Sequence, residues 1–177
     1  MSGKEKEQAT VLSSSLRPWT HGDLVIARAV LDQIEAHAHE CFPSEACGFV
    51  LGPASEPQML DRAVRETNEA DKYHALDAER FPRTSRTYFK MNELRAARAF
   101  EEGERAGTPI KVIYHSHCDA GAYFSAEDSA TFAADGMLMW PCAFLVVSVI
   151  GGQVRDRRLW VHVAGTNEFR ESSLEVV

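Results

Sequence analysis

His115-Ser116-His117 sets two imidazoles two residues apart at the end of an apolar run, Ile110-Lys-Val-Ile-Tyr. On a strand, residues i and i+2 share a face, so both rings project from one side of its end. Eleven residues after His117 stands Asp128, within Ser125-Ala-Glu-Asp128. That tetrad reads as a helix start, with Ser125 at the N-cap and Asp128 in the first turn, where the helix dipole favours a carboxylate. Two neutral imidazoles and one carboxylate suit Zn²⁺. Three protein ligands leave a fourth position open, which is the mark of a catalytic rather than a closed structural centre. Water activated in such a site still needs a proton acceptor. Glu45, which follows Pro43-Ser44 at a helix-to-strand junction, is of the right type and setting for that role.

Taken singly, each feature has a commonplace structural reading. A strand-end histidine is usually a hydrogen-bonded core residue, Ser-x-x-Asp is commonly only a capping box, and a loop glutamate is usually solvated. The joint spacing is far more specific: His-x-His, seven residues, Ser-x-x-Asp, with an upstream Glu beside Cys47-Gly48 and an apolar strand.

The elements that must position these residues follow from periodicity. Residues 1–19 are polar and Ser-rich and read as a flexible leader. From Leu24, apolar positions at three- and four-residue steps predict a helix to about Cys41, ended by Pro43. Ala46–Gly52 reads as a buried strand, 58–66 as a half-exposed one and Arg86–Met91 as another, while 67–85 carries no clear pattern. Asn92 caps a predicted helix over 93–105. Ala143–Ile150, Gly151-Gly152 and an alternating 154–163 form a hairpin, and 166–177 reads as a tail. His37 and His39, two apart on a helix, read as surface residues. The mixture predicts an α/β single domain over 20–165, a mixed β-sheet flanked by helices.

The chain has 177 residues, 45% of them hydrophobic, enough for one sizeable core. A net charge of −7 leaves no cationic footprint for nucleic acid or anionic lipid. No stretch is apolar enough for a membrane span and no signal-peptide core is present, so the expected compartment is the cytoplasm. Cys41, Cys47, Cys118 and Cys142 are too few for a disulfide scaffold.

The composite resembles the metal-binding form of the JAMM metalloprotease family, also called the MPN or JAB domain. His115, His117, Ser125 and Asp128 fill its His-x-His-x₇-Ser-x₂-Asp pattern. Pro43-Ser44-Glu45-Ala46-Cys47-Gly48 is similar to the Pro-x-Glu-x-Cys-Gly of bacterial members. The resemblance spans about residues 23–163. It implies a curved mixed sheet, related to the cytidine-deaminase-like layered fold, with Leu24–Ile26 as a short strand. It also implies His115, His117 and Asp128 as zinc ligands, Glu45 as the general base and Ser125 as the hydroxyl that steadies the oxyanion. Cys118 and Phe124 depart from the pattern, standing where many relatives carry proline. The short bacterial forms resemble peptidases acting after the C-terminal Gly-Gly of ubiquitin-like sulfur-carrier proteins, an activity compatible with a homo-oligomer. The alternatives are an isopeptidase that removes a ubiquitin-like modifier from lysine, a non-catalytic MPN scaffold, and a structural zinc site that includes Cys118. A zinc nucleoside deaminase is contradicted by His117 where its motif needs Glu, and by Leu145 after Pro141-Cys142 where it needs Cys.

Overall fold

The computed structural model describes residues 17–177; most of the expected leader lies outside the described residues. After a short 3₁₀ helix, Pro18–His21, come β1 (Leu24–Ile26), α1 (Arg28–Cys41), β2 (Cys47–Leu51), β3 (Met59–Leu60), β4 (Arg62–Glu66) and α2 (Ala70–Leu76). There follow α3 (Glu93–Arg105), β5 (Ile110–Cys118), α4 (Ala126–Phe132), β6 (Ala133–Ala134) and β7 (Met137–Leu138). The chain closes with β8 (Ala143–Ile150), β9 (Gln153–His162), β10 (Phe169–Ser172) and β11 (Leu174–Val176).

Six strands form one mixed, curved sheet in the order β10-β9-β8-β5-β2-β4. β5 and β8 run parallel, joined by the crossover that contains α4, and the other pairs are antiparallel. β2, β5 and β8 sit in the middle and are buried almost throughout. Continuous apolar runs are what a strand covered on both faces requires. One face packs under α1, with Leu31, Ile34, Val50, Tyr114, Leu145 and Val147 in the contact. The other packs under α3 and α4, with Phe49, Phe89, Phe100, Ile113, Phe132 and Phe144. His115 and His117 continue the Ile113 row, so alternation along β5 sends both rings toward this second face. At Gly48 a Cβ would lie 2.3 Å from the Val64 carbonyl oxygen and 2.6 Å from the Tyr114 ring, so β2 packs this closely only without a side chain there.

Several expectations need correction. β1 precedes α1, as the resemblance implied, and the helix begins at Arg28 rather than at Leu24. Arg86–Met91 forms no strand, because its backbone groups bond locally to Thr84, Asn68 and Glu69 rather than to a neighbouring strand. Asn68 Oδ1 accepts the Lys90 N–H and Asn68 Nδ2 donates to the Tyr88 carbonyl. Residues 166–177 are not a loose tail: β10 extends the large sheet beside β9, and β11 pairs in parallel with β1. Trp19, assigned to the leader, is buried, and its indole N–H donates to the Pro141 carbonyl at 2.9 Å. His37 is buried rather than on the surface, with Nδ1 2.8 Å from the Tyr114 hydroxyl.

Lys111 is fully buried within β5. Its ammonium donates to the carbonyls of Pro53, Glu56 and Met59 at 2.8, 2.8 and 3.0 Å, which fixes the β2–β3 connection against the sheet. Burial pulls this amine down from its ordinary value to about 8. Lys111→Met would leave three carbonyls without their donor, at a cost of about 2–4 kcal/mol. Thermal unfolding is expected to shift down by about 10 °C. An unchanged midpoint would show that the three bonds contribute nothing.

Candidate active site

The end of β5 and the start of α4 meet where the sequence spacing places them. His115 Nε2 lies 3.1 Å from His117 Nε2 and 3.2 Å from Asp128 Oδ1, and His117 Nε2 lies 3.4 Å from Asp128 Oδ2. All three side chains are buried. A tetrahedral shell built on zinc–ligand bonds of about 2.0–2.1 Å has edges of about 3.3–3.4 Å. The donors converge on that scale, with His115 and His117 facing different oxygens of Asp128.

Protonation sharpens the fit. His117 Nδ1 is 2.8 Å from the Gly121 carbonyl. A carbonyl only accepts, so Nδ1 carries the proton and Nε2 of the neutral ring turns its lone pair toward Asp128 and His115. Beside the carboxylate, that nitrogen is satisfied either by a second proton, making the ring an imidazolium paired with Asp128, or by a cation held between them. Burial alone would raise the Asp128 carboxyl, but the neighbouring imidazoles and the Ser125 N–H outweigh it and hold the group far below the usual carboxylate range. Burial likewise favours neutral His117, yet the Asp128 carboxylate and the Gly121 carbonyl raise its value. His115 Nδ1 has no hydrogen-bond partner among the described residues. Its ring is held instead by stacking on Phe89, centroids 4.4 Å apart and planes at 22°.

Asp128 also closes a capping box. Its Oδ2 accepts the Ser125 N–H at 2.9 Å, and Ser125 Oγ accepts the Asp128 N–H at 3.0 Å. Because Oδ1 faces His115, one carboxylate can cap a helix and hold a cation together. The Ser125 hydroxyl keeps its own hydrogen available to donate.

Glu45 lies beside this cluster, 6% exposed. Burial pushes its carboxyl up to about 8, while the charges of His117 and Arg83 pull it partly back. The backbone around it is fixed on every side. Glu45 N donates to the Ser85 carbonyl at 2.7 Å, Asn68 Nδ2 donates to the Glu45 carbonyl at 3.0 Å, and the Ala46 N–H donates to Ser116 Oγ at 2.7 Å. Ser116, between the two histidines, thus points away from them and positions the neighbour of Glu45.

Asn68, Ser85 and Phe89 are site residues that sequence reasoning missed in these roles. Asn68 makes four hydrogen bonds, with the two donated to the Glu45 and Tyr88 carbonyls and the two accepted from the Ala70 and Lys90 N–H groups. The composition of its polar loop gives no signal of this. Phe89 is one of four aromatic residues in 67–91, with Tyr73, Phe81 and Tyr88, and its local sequence gives no sign that it stacks on His115.

The 118–124 loop is stiff without prolines. Its successive carbonyls at Ala120, Gly121 and Ala122 face the Ser148 hydroxyl, the His117 ring and the Trp160 indole N–H. Phe124 packs into an aromatic cluster with Phe132, Phe144, Trp160 and Phe169. Cys118 stands outside the convergent set of His115, His117 and Asp128, and burial pushes its thiol up to about 12.

Residues 27–163 match the family of prokaryotic homologs of the JAB domain. The chain belongs to that family. Over 116 residues this JAB-family chain is 34% identical to the CysO-cysteine peptidases of Mycobacterium tuberculosis and Mycobacterium bovis, a match covering 64% of the chain and 68% of each relative. In fold it is similar to a protein from Desulfitobacterium hafniense (TM-score 0.63, 20% identity, 87% of this chain and 92% of that one). It is also similar to a JAB1/MPN domain protein from Archaeoglobus fulgidus (TM-score 0.51, 16% identity, 87% and 97%). The chain is a JAB-type peptidase of mixed α/β fold. No helix among the described residues is long and apolar enough to cross a membrane.

Proposed function

We propose that this peptidase uses zinc held by His115, His117 and Asp128 to hydrolyse the amide bond after the C-terminal Gly-Gly of a ubiquitin-like sulfur-carrier protein, releasing cysteine or another short adduct. The observation that carries the reading is the convergence of two imidazoles and one carboxylate, ligand atoms all within 4.8 Å, beside a buried glutamate. The substrate class is supported by the 34% identity to the CysO-cysteine peptidases.

When bound, the metal supplies Lewis acidity that polarises both the attacking water and the scissile carbonyl. Glu45 takes the water's proton and hands it to the leaving amine; burial makes its carboxylate a stronger base than a solvated one. Two hydrogen bonds of its own backbone and one of the neighbouring Ala46 N–H hold it in place for that transfer. The Ser125 hydroxyl donates to the oxygen on which negative charge develops, and its oxygen is anchored by the Asp128 N–H.

The test is to load the protein with zinc, quantify the metal per chain, and offer a sulfur carrier ending in Gly-Gly-Cys while following its mass. Trimming back to Gly-Gly is the expected result. Zinc binding without trimming overturns the substrate assignment, and failure to hold zinc overturns the metallopeptidase itself.

A further inference from the structure

β4 (Arg62–Glu66) ends the large sheet, with β2 on one side and no strand among the described residues on the other. Arg62, Val64 and Arg65 are exposed, and Ala63 and Glu66 are half-buried. An unpaired edge is a template for another strand unless proline, a bulge or repelling charge blunts it. β4 contains no proline, and its ladder with β2 runs without a bulge. Backbone alternation fixes which groups the edge offers. The Ala46 carbonyl accepts the Ser116 N–H on the β5 side of β2, and the Leu51 carbonyl accepts the Asp61 N–H on the β4 side. Cys47, Phe49 and Leu51 therefore turn their backbone groups to β4, where they face Glu66, Val64 and Arg62. The N–H and C=O groups of Ala63 and Arg65 point outward, and no other backbone group of the described residues bonds them.

The charges along this edge are complementary to themselves. When two copies pair antiparallel about a two-fold axis through Val64, Val64 meets Val64 of the second copy, Arg62 meets its Glu66 and Glu66 meets its Arg62. These pairs fall at the non-hydrogen-bonded positions, where facing side chains come closest. Ala63 lies opposite Arg65 of the second copy, and each such pair exchanges both of its N–H···O bonds through the outward groups. The side chains are free to take these partners. Arg62 makes no ion pair among the described residues and has only a 3.4 Å contact with the Thr108 hydroxyl. Glu66 has one ion pair, to the exposed Arg95 of α3 at 3.4 Å. Arg65, on the other face, is already neutralised by Glu40 of α1 at 2.6 Å, so the two Arg65 that come diagonal to each other do so as ion pairs. An axis through Arg65 would set that residue against itself, and one through Ala63 would leave Arg62 and Glu66 without opposite charges.

We propose that the β4 edge is a homodimer interface, in which two copies of this chain pair antiparallel about Val64 and join their six-stranded sheets into one. The seam ends two residues from Asn68, which holds the Glu45 carbonyl, so one reaction centre lies on each side of it. The pairing stands apart from the choice of substrate.

Sedimentation equilibrium of the full chain, from micromolar to sub-millimolar concentration, is expected to give twice the chain mass, with association weakening as salt is raised. Arg62→Glu and Glu66→Arg each set like charges against one another at both ends of the seam, and each alone should weaken association by about tenfold or more. Mixed in equal amounts, the two variants restore opposite charges at both ends, and the mixture should regain the dimer. Val64→Lys sets two ammonium groups across the axis and should also dissociate it. A wild type that stays monomeric throughout overturns the proposal. A dimer that ignores all three substitutions overturns it too, because it then forms elsewhere. So does a mixture that stays monomeric although both variants keep the circular dichroism of wild type. Val64→Lys removes no ion pair and decides the case if Glu66→Arg, which also loses Arg95, does not fold: a dimer left intact by it overturns the pairing.

Discussion

Glu45→Gln is expected to lower turnover by a factor of about 10²–10⁴ while zinc stays bound at one per chain. The amide keeps the shape of the carboxylate and cannot accept the water's proton. Glu45 lies beside the three convergent groups without being one of them, so metal content should not move. Loss of zinc in this variant would make Glu45 a ligand and would overturn its role as base. A second consequence follows from burial. The folded, metal-free protein holds the Glu45 proton up to about pH 8, whereas the unfolded chain releases it near the ordinary value of 4.5. Between those limits the folded state is increasingly penalised as pH rises, and above about 8 the penalty is constant. Metal-free Glu45→Gln should therefore be more stable than metal-free wild type at pH 8, by on the order of a few kcal/mol. The difference should shrink as the pH is lowered toward 4.5. Denaturant melts at three pH values would show it, and a gap that did not narrow on acidification would contradict the buried carboxylate as its source.

His117→Ala is expected to behave in the opposite way, losing zinc and turnover together. Removing the ring takes one of the three convergent donor atoms and also removes the contact that holds the Gly121 carbonyl, so the loop behind the site loosens. Zinc affinity should fall by more than about 100-fold, beyond the losses that accompany changes in outer-shell partners. Chelation of wild type should reproduce the inactive state and added zinc should reverse it. His117→Ala should not be rescued at equal metal concentration. A variant that retained one zinc with wild-type affinity would remove His117 from the ligand set.

The convergence of His115, His117 and Asp128 was legible because each obeys a local rule. Alternation on β5 places His115 and His117 on one side, and a capping box places Asp128 in the first turn of α4. The large sheet was legible for the same reason, since β2, β5, β8 and β9 are runs whose apolar pattern needs no distant information. What was not legible depends on partners far along the chain. His37 is buried because Tyr114, 77 residues away, offers it a hydroxyl. Arg86–Met91 looks like a strand because Thr87, Tyr88 and Phe89 are strand formers, but Asn68, far back in the chain, takes the Lys90 N–H and the Tyr88 carbonyl that a ladder would use. The last C-terminal strand carries a readable signal: Leu174 and Val176 alternate with Glu175, and the apolar pair packs against the core beside α1.

That C-terminal pairing also bears on how the protein is made. Asp23 and Ser173, beside the β1–β11 register, meet across 150 residues of sequence. A nascent chain emerging at roughly 5–20 residues per second can assemble β2, β4, β5 and β8 while β1 still lacks one neighbour. The seam beside α1 then closes only when almost all of the described sequence has left the ribosome, so the strands that carry the histidines can be in place before the ends of the domain are joined.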